Sequence, residues 1–140
     1  GQGPVGGADF KSLKLYAVQD PELLKTIDES SAKMRPGSHP LYGAPTLVVL
    51  ASKESILKNI EFTNAGCVIQ NMMVAAADLG IDSIYLWMSM YGINNDPEIG
   101  KKLGFPEGFT CVGTMALGYE AKEFPKLKAD EQRIEVTYIK

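Results

Sequence analysis

Thr46-Leu47-Val48-Val49-Leu50-Ala51 is an almost unbroken apolar run. Successive side chains of a strand point to opposite faces, so a strand with this sequence is apolar on both of them. A strand of that kind is buried beneath two layers of other elements, and two-sided cover usually comes with helical crossovers and parallel neighbours. The run therefore predicts a central strand with helices on each side and parallel packing.

Upstream of this strand, Arg35-Pro36-Gly37-Ser38-His39-Pro40 is a cluster of breakers and must be a loop. Before the loop, Asp20-Pro21-Glu22 starts a helix, with an Asp cap and a Pro in the first turn, and the helix runs to about Met34. Leu13 to Val18 alternates in part and then turns apolar, as a strand entering a core does. Residues Gly1 to Gly7 include four glycines and a proline and read as a loose end.

Downstream, Phe62 to Leu79 carries the longest helical pattern, with Val68, Ile69, Met72, Met73, Ala75 and Ala76 apolar and Gly80 as the closing residue. Ser83 to Met88 is a second apolar strand. Asn94-Asn95-Asp96-Pro97-Glu98 opens a short helix that stops at Gly104. After the Pro106-Glu107-Gly108 turn, Cys111 to Leu117 forms a strand rich in small residues, so something packs closely on it. Lys122 to Asp130 is charged and irregular, and Ile134 to Ile139 alternates strictly, as a strand with one wet face does. Strands alternating with helices in this order give an α/β or α+β sheet with helices packed on it.

A chain of 140 residues suits one domain, residues 1–140, and a domain of this size buries roughly 70% of its unfolded surface. The 14 basic residues do not gather in one run and are outnumbered by 17 acids, which argues against nucleic acid as a partner. No apolar run approaches the roughly 20 residues that span a bilayer and no signal peptide opens the chain, so the reading is no membrane and a cytoplasmic location. Cys67 and Cys111 both read as buried, reduced thiols.

The residues supply little acid-base or nucleophilic chemistry. The single histidine, His39, lies in a Pro/Gly loop, and no serine or cysteine sits in a G-x-S-x-G elbow. One histidine and two distant cysteines do not make a metal site. Gly3 to Gly7 lacks the G-x-G-x-x-G spacing of a phosphate cradle, and Lys101, Lys102 and Glu131 read as a solvated face. Met72 and Met73 fill core. Met88-Ser89-Met90-Tyr91-Gly92 differs, because it follows a strand at the place where open sheets tend to hold ligands.

Several ordered segments resemble the nitroreductase family. Leu41-Tyr42-Gly43-Ala44-Pro45-Thr46-Leu47-Val48-Val49 is similar to its aromatic-x-Ala-Pro approach to a strand, and Asn64 to Ala76, with Gln70-Asn71-Met72, resembles its central helix. Leu79-Gly80-Ile81-Asp82-Ser83 resembles the step into the next strand. Asn95-Asp96-Pro97-Glu98, Phe105-Pro106-Glu107-Gly108-Phe109 and Ala116-Leu117-Gly118-Tyr119 are similar to the later helix, turn and strand end.

The resemblance implies an α+β fold with a central, mostly antiparallel sheet flanked by helices. It implies a homodimer that binds FMN at its interface, with the C-terminal arm, residues 120–140, exchanged as a strand with the partner. It further implies hydride transfer from NADH or NADPH through the flavin to a small-molecule acceptor such as a nitroaromatic or quinone, which fits the lack of a triad. Met88, Ser89 and Met90 resemble the segment whose backbone approaches the flavin ring edge, although the family often has glycines there. Trp87, Met88, Met90 and Tyr91 are candidates to shape the acceptor pocket. Lys126 and Lys128 resemble the basic residues that meet the FMN phosphate. Pro4 is what Pro4 to Phe10 keeps of the family's Pro-Ser-x-x-Asn-x-Gln segment. The family's opening Arg-Arg-Ser-x-Arg motif has no counterpart, which implies an N-terminally incomplete chain with residues 1–10 as loop. The alternative is a non-catalytic dimeric binding or regulatory module on the same scaffold, with an eroded flavin site.

Overall fold

Strand β1 (Leu13–Val18) leads into helix α1 (Pro21–Ala32) in the computed structural model, which describes residues 12–119 and 134–139. Asp20 caps α1 by accepting from the Glu22 and Leu23 amides at 2.8 and 3.1 Å, which satisfies two of the four donors that a helix start leaves open. Strand β2 (Thr46–Lys53) and helix α2 (Ile60–Asp78) follow. At the end of α2, Gly80 adopts a φ of 69°, and the Gly80 and Ile81 amides donate to the Ala77 and Ala76 carbonyls, the paired bonds that a left-handed glycine permits. Strand β3 (Asp82–Tyr85), helices α3 (Trp87–Asn94) and α4 (Pro97–Leu103), and strand β4 (Phe109–Gly118) complete the described chain.

The four strands form one sheet in the order β1-β2-β4-β3, and every neighbouring pair is antiparallel. The parallel packing expected from the Thr46–Ala51 run is therefore corrected, and the mostly antiparallel sheet implied by the family resemblance holds. An apolar run records that both faces are covered but carries nothing about the direction of its neighbours. Here Val18 pairs with Leu47, so α1 leaves from the end of the sheet at which β2 starts, and residues 33–45 return the chain to that same end.

Two-sided cover is present. Leu47 and Val49 face a cluster with Ile27, Ile93 and Ile99 from α1, α3 and α4, while Val48 and Leu50 face Ala65, Val68 and Ile69 of α2. Full burial of each such side chain contributes roughly 1.5–3 kcal/mol. The β2–β4 register shifts between Leu50 and Ala51, where Leu50 pairs with Gly113 and Ala51 with Cys111. The extra residue, Val112, is a bulge that puts Val112 and Gly113 in succession on the α2 side and returns Cys111 to the α1 side. A Cβ on Gly113 would stand 2.9 Å from Ile69 Cδ1, so the close packing expected on this strand is what α2 makes.

Three other expectations change. The second apolar strand does not reach Met88: β3 ends at Tyr85 and Trp87 already starts α3. A short apolar run has no period that separates strand from helix. Cys67 is exposed, because the face of α2 fixed on the sheet by Ala65, Val68 and Ile69 points it away; Cys111 is buried as expected. Residues 134–139 belong to no strand of the described sheet, and their side chains are exposed. The Gly1–Gly7 loop, Lys122 to Asp130 and Glu131 lie outside the described residues. Among the described residues no helix is long and apolar enough to cross a membrane.

Candidate active site

The junction of β3 and α3 is organised by three polar groups in an otherwise apolar layer. The Leu86 amide donates to the Thr114 carbonyl of β4 at 3.0 Å, and the Thr114 hydroxyl donates back to the Leu86 carbonyl. Ser89 Oγ lies 2.6 Å from Thr114 Oγ1 and 3.2 Å from the Leu86 carbonyl, and both hydroxyl side chains are fully buried. Two protons thus serve three contacts, which pins the first turn of α3 to β4. Asn94 does the same at the other end of α3, donating from Nδ2 to the Cys111 carbonyl and accepting from the Cys111 amide, both at 2.8 Å. Its amide takes the role of a strand neighbour below Met115, where β3 no longer pairs with β4.

No side chain caps α3, because the N-cap residue is Leu86. A helix start leaves its first amides without intrahelical acceptors, so α3 presents donors where Trp87 and Met88 begin it. Trp87 is 52% exposed and shares an outward face with Tyr91, while Met90 packs against the core and Met88 is half-buried. Of the expected site residues, Met88, Ser89 and Met90 are brought together here. The Ser89 hydroxyl is engaged inside the protein and the whole residue is buried, so Ser89 supports the turn from within. Pro4, Lys126 and Lys128 lie outside the described residues.

Burial pushes the Cys111 thiol up to about 12, an effect only partly offset by hydrogen bonding with the Gly113 backbone. Tyr85 is raised by burial first and by the neighbouring Cys111 second. Such groups hold their protons at neutral pH. Sequence reasoning missed Thr114 and Asn94 as supports of the α3 segment. The available signal was a lone hydroxyl inside Cys111-Val112-Gly113-Thr114-Met115-Ala116, where burial demands a partner.

A four-stranded antiparallel sheet with one long helix on one face, three helices on the other and a strand-to-helix junction beside the edge strand defines an α+β protein of nitroreductase-like architecture. The Nitroreductase family profile matches residues 7–119, and the chain belongs to the nitroreductase family. Among solved structures, a nitroreductase with bound FMN from Desulfitobacterium hafniense is 21% identical, with a TM-score of 0.76 over 92% of this chain and 77% of that one. A nitroreductase with bound FMN from Bacteroides fragilis is 25% identical, with a TM-score of 0.69 over 94% and 80% of the two chains. An FMN-dependent nitroreductase from Clostridium difficile is 18% identical, with a TM-score of 0.72 over 94% and 81%. No curated protein sequence matches the chain significantly.

Proposed function

We propose that the chain is one subunit of a homodimeric, cytoplasmic FMN-dependent oxidoreductase that draws on NADH or NADPH and reduces a nitroaromatic, a quinone or a similar small acceptor. FMN, when bound, supplies the hydride-transfer chemistry, and the protein supplies binding and orientation. The observation that carries this reading is the uncapped first turn of α3, held rigid by Thr114 and Ser89 and flanked by Trp87 and Met88. Amides at a helix start that lack intrahelical acceptors suit the electron-rich edge of a flavin, and apolar side chains beside them exclude water from it.

In this reading the segment of Met88, Ser89 and Met90 lies along the ring edge with Ser89 bracing it from within, Lys126 and Lys128 hold the phosphate, and Pro4 belongs to a further wall. Membership of the family and the FMN-bound neighbours support FMN as the cofactor. The dimer is supported by apolar side chains left uncovered in the single chain, Phe62 and Val74 on α2 and Ile134, Val136 and Tyr138 in the arm. A strictly alternating arm outside its own sheet needs an edge to pair with, and the edge of a partner's sheet provides one.

Purified protein should show the visible absorbance bands of a flavin, or acquire them on incubation with FMN, and should lose them on addition of NADH or NADPH under anaerobic conditions. Protein that stays colourless after incubation with FMN would refute the enzyme and leave the dimeric binding module.

A further inference from the structure

An open cavity of about 450 Å³ lies where β1 ends and β2 begins, and no residue of α3 lines it. That volume falls within the roughly 300–1,000 Å³ of small-molecule sites. Leu41, Ala44 and Pro45 line it with apolar surface, and Lys25, Asp28 and His39 add polar groups. Asp28 accepts from the Leu41 amide through Oδ1 at 2.8 Å and meets His39 Nδ1 through Oδ2 at 3.2 Å. One carboxylate thus ties the imidazole to the backbone of the cavity wall.

The wall is preformed. Tyr42 donates to the His39 carbonyl and Ala44 to the Leu41 carbonyl, both at 2.9 Å, and Tyr42 and Gly43 take φ values of 54° and 71°. A left-handed Tyr costs roughly 1–2 kcal/mol, so the surrounding structure is fixing the shape of this loop.

In the neutral tautomer that donates Nδ1–H to Asp28, His39 keeps an acceptor at Nε2, while Lys25 offers only donors. A ligand group that both donates and accepts satisfies the two together, and the apolar lining calls for a flat ring behind it. We propose that this cavity binds a phenol, its ring on Leu41, Ala44 and Pro45, its O–H donated to His39 Nε2 and its oxygen accepting from Lys25 Nζ.

His39 is the sole histidine, so its ring signals can be followed by NMR in the full chain without ambiguity. Phenol should shift them saturably, whereas anisole, which cannot donate, should bind much more weakly. Asp28→Asn keeps an acceptor for the Leu41 amide but removes the charge that orients the ring, and Lys25→Met removes the donor. Each should weaken phenol binding roughly tenfold. The proposal is overturned by no saturable shift in the parent protein, by anisole binding as tightly as phenol, by benzoate binding more tightly, or by an unchanged affinity in Lys25→Met.

Discussion

Thr114 shows how much one hydroxyl can decide. It is wholly buried, yet it donates to the Leu86 carbonyl and meets Ser89 Oγ at 2.6 Å, so its loss exposes two partners to an apolar layer. Thr114→Val keeps the shape and removes the hydroxyl, and should cost about 1–3 kcal/mol in urea unfolding. Thr114→Ser should retain most of that stability; equal midpoints for the Val variant and the parent would contradict the account. At this scale the sequence was only partly legible. Cys111 reads correctly as buried, since cysteine is among the most buried residue types. Cys67 does not, because residue type gives an average tendency and the phase of α2 decides the individual case.

Helices α1 and α3 cross where Gly92 meets Ser30 and Ser31. A Cβ on Gly92 would lie 2.2 Å from Ser31 Oγ and 2.7 Å from Ser31 Cα, and Ser30 Oγ donates to the Gly92 carbonyl at 3.0 Å. Gly92→Ala should therefore push the helices apart and cost about 1–3 kcal/mol, measured by thermal or denaturant unfolding. Shortening Ser31 to Ala in the same chain should not restore the loss, because the clash includes Ser31 backbone; full rescue would argue against the crossing. Helix starts were the most legible elements, since Asp20-Pro21 and Asp96-Pro97 place caps and first turns by local chemistry alone. The start of α3 was not, because Leu86-Trp87-Met88 has neither a cap residue nor a period that marks a change of state.

Across the whole molecule, the buried thiol ties stability to alkaline pH. The Cys111 thiol is raised in the folded protein from an ordinary value near 9.0 to about 12. Below pH 9 both states keep the proton and pH has no effect through this group. As pH rises from 9 towards 12 the unfolded thiol ionises while the folded one does not, so stability falls, by up to about 1.4 kcal/mol per pH unit. Thermal midpoints measured from pH 8 to 11 should drop, and the slope should flatten in Cys111→Ala; an identical slope in that variant would exclude the thiol as the cause. The layered α+β architecture was legible from Thr46–Ala51 and its flanking helices, while strand direction was not, since it depends on the path of residues 33–45 rather than on the pattern of any strand. The bulge at Val112 has a corollary for this plan. Because β4 changes phase there, its two halves obey opposite parity, and deleting one residue at that point would restore strict alternation. Without Val112, Cys111 would still pair with Ala51 and Gly113 with Leu50, each on its present face, and only the extra side chain offered to α2 would be lost. The strand thus carries a counting rule with one exception: a residue can be lost at the bulge without reversing a face, whereas a deletion elsewhere in β4 turns the side chains on one side of it towards the opposite helix layer.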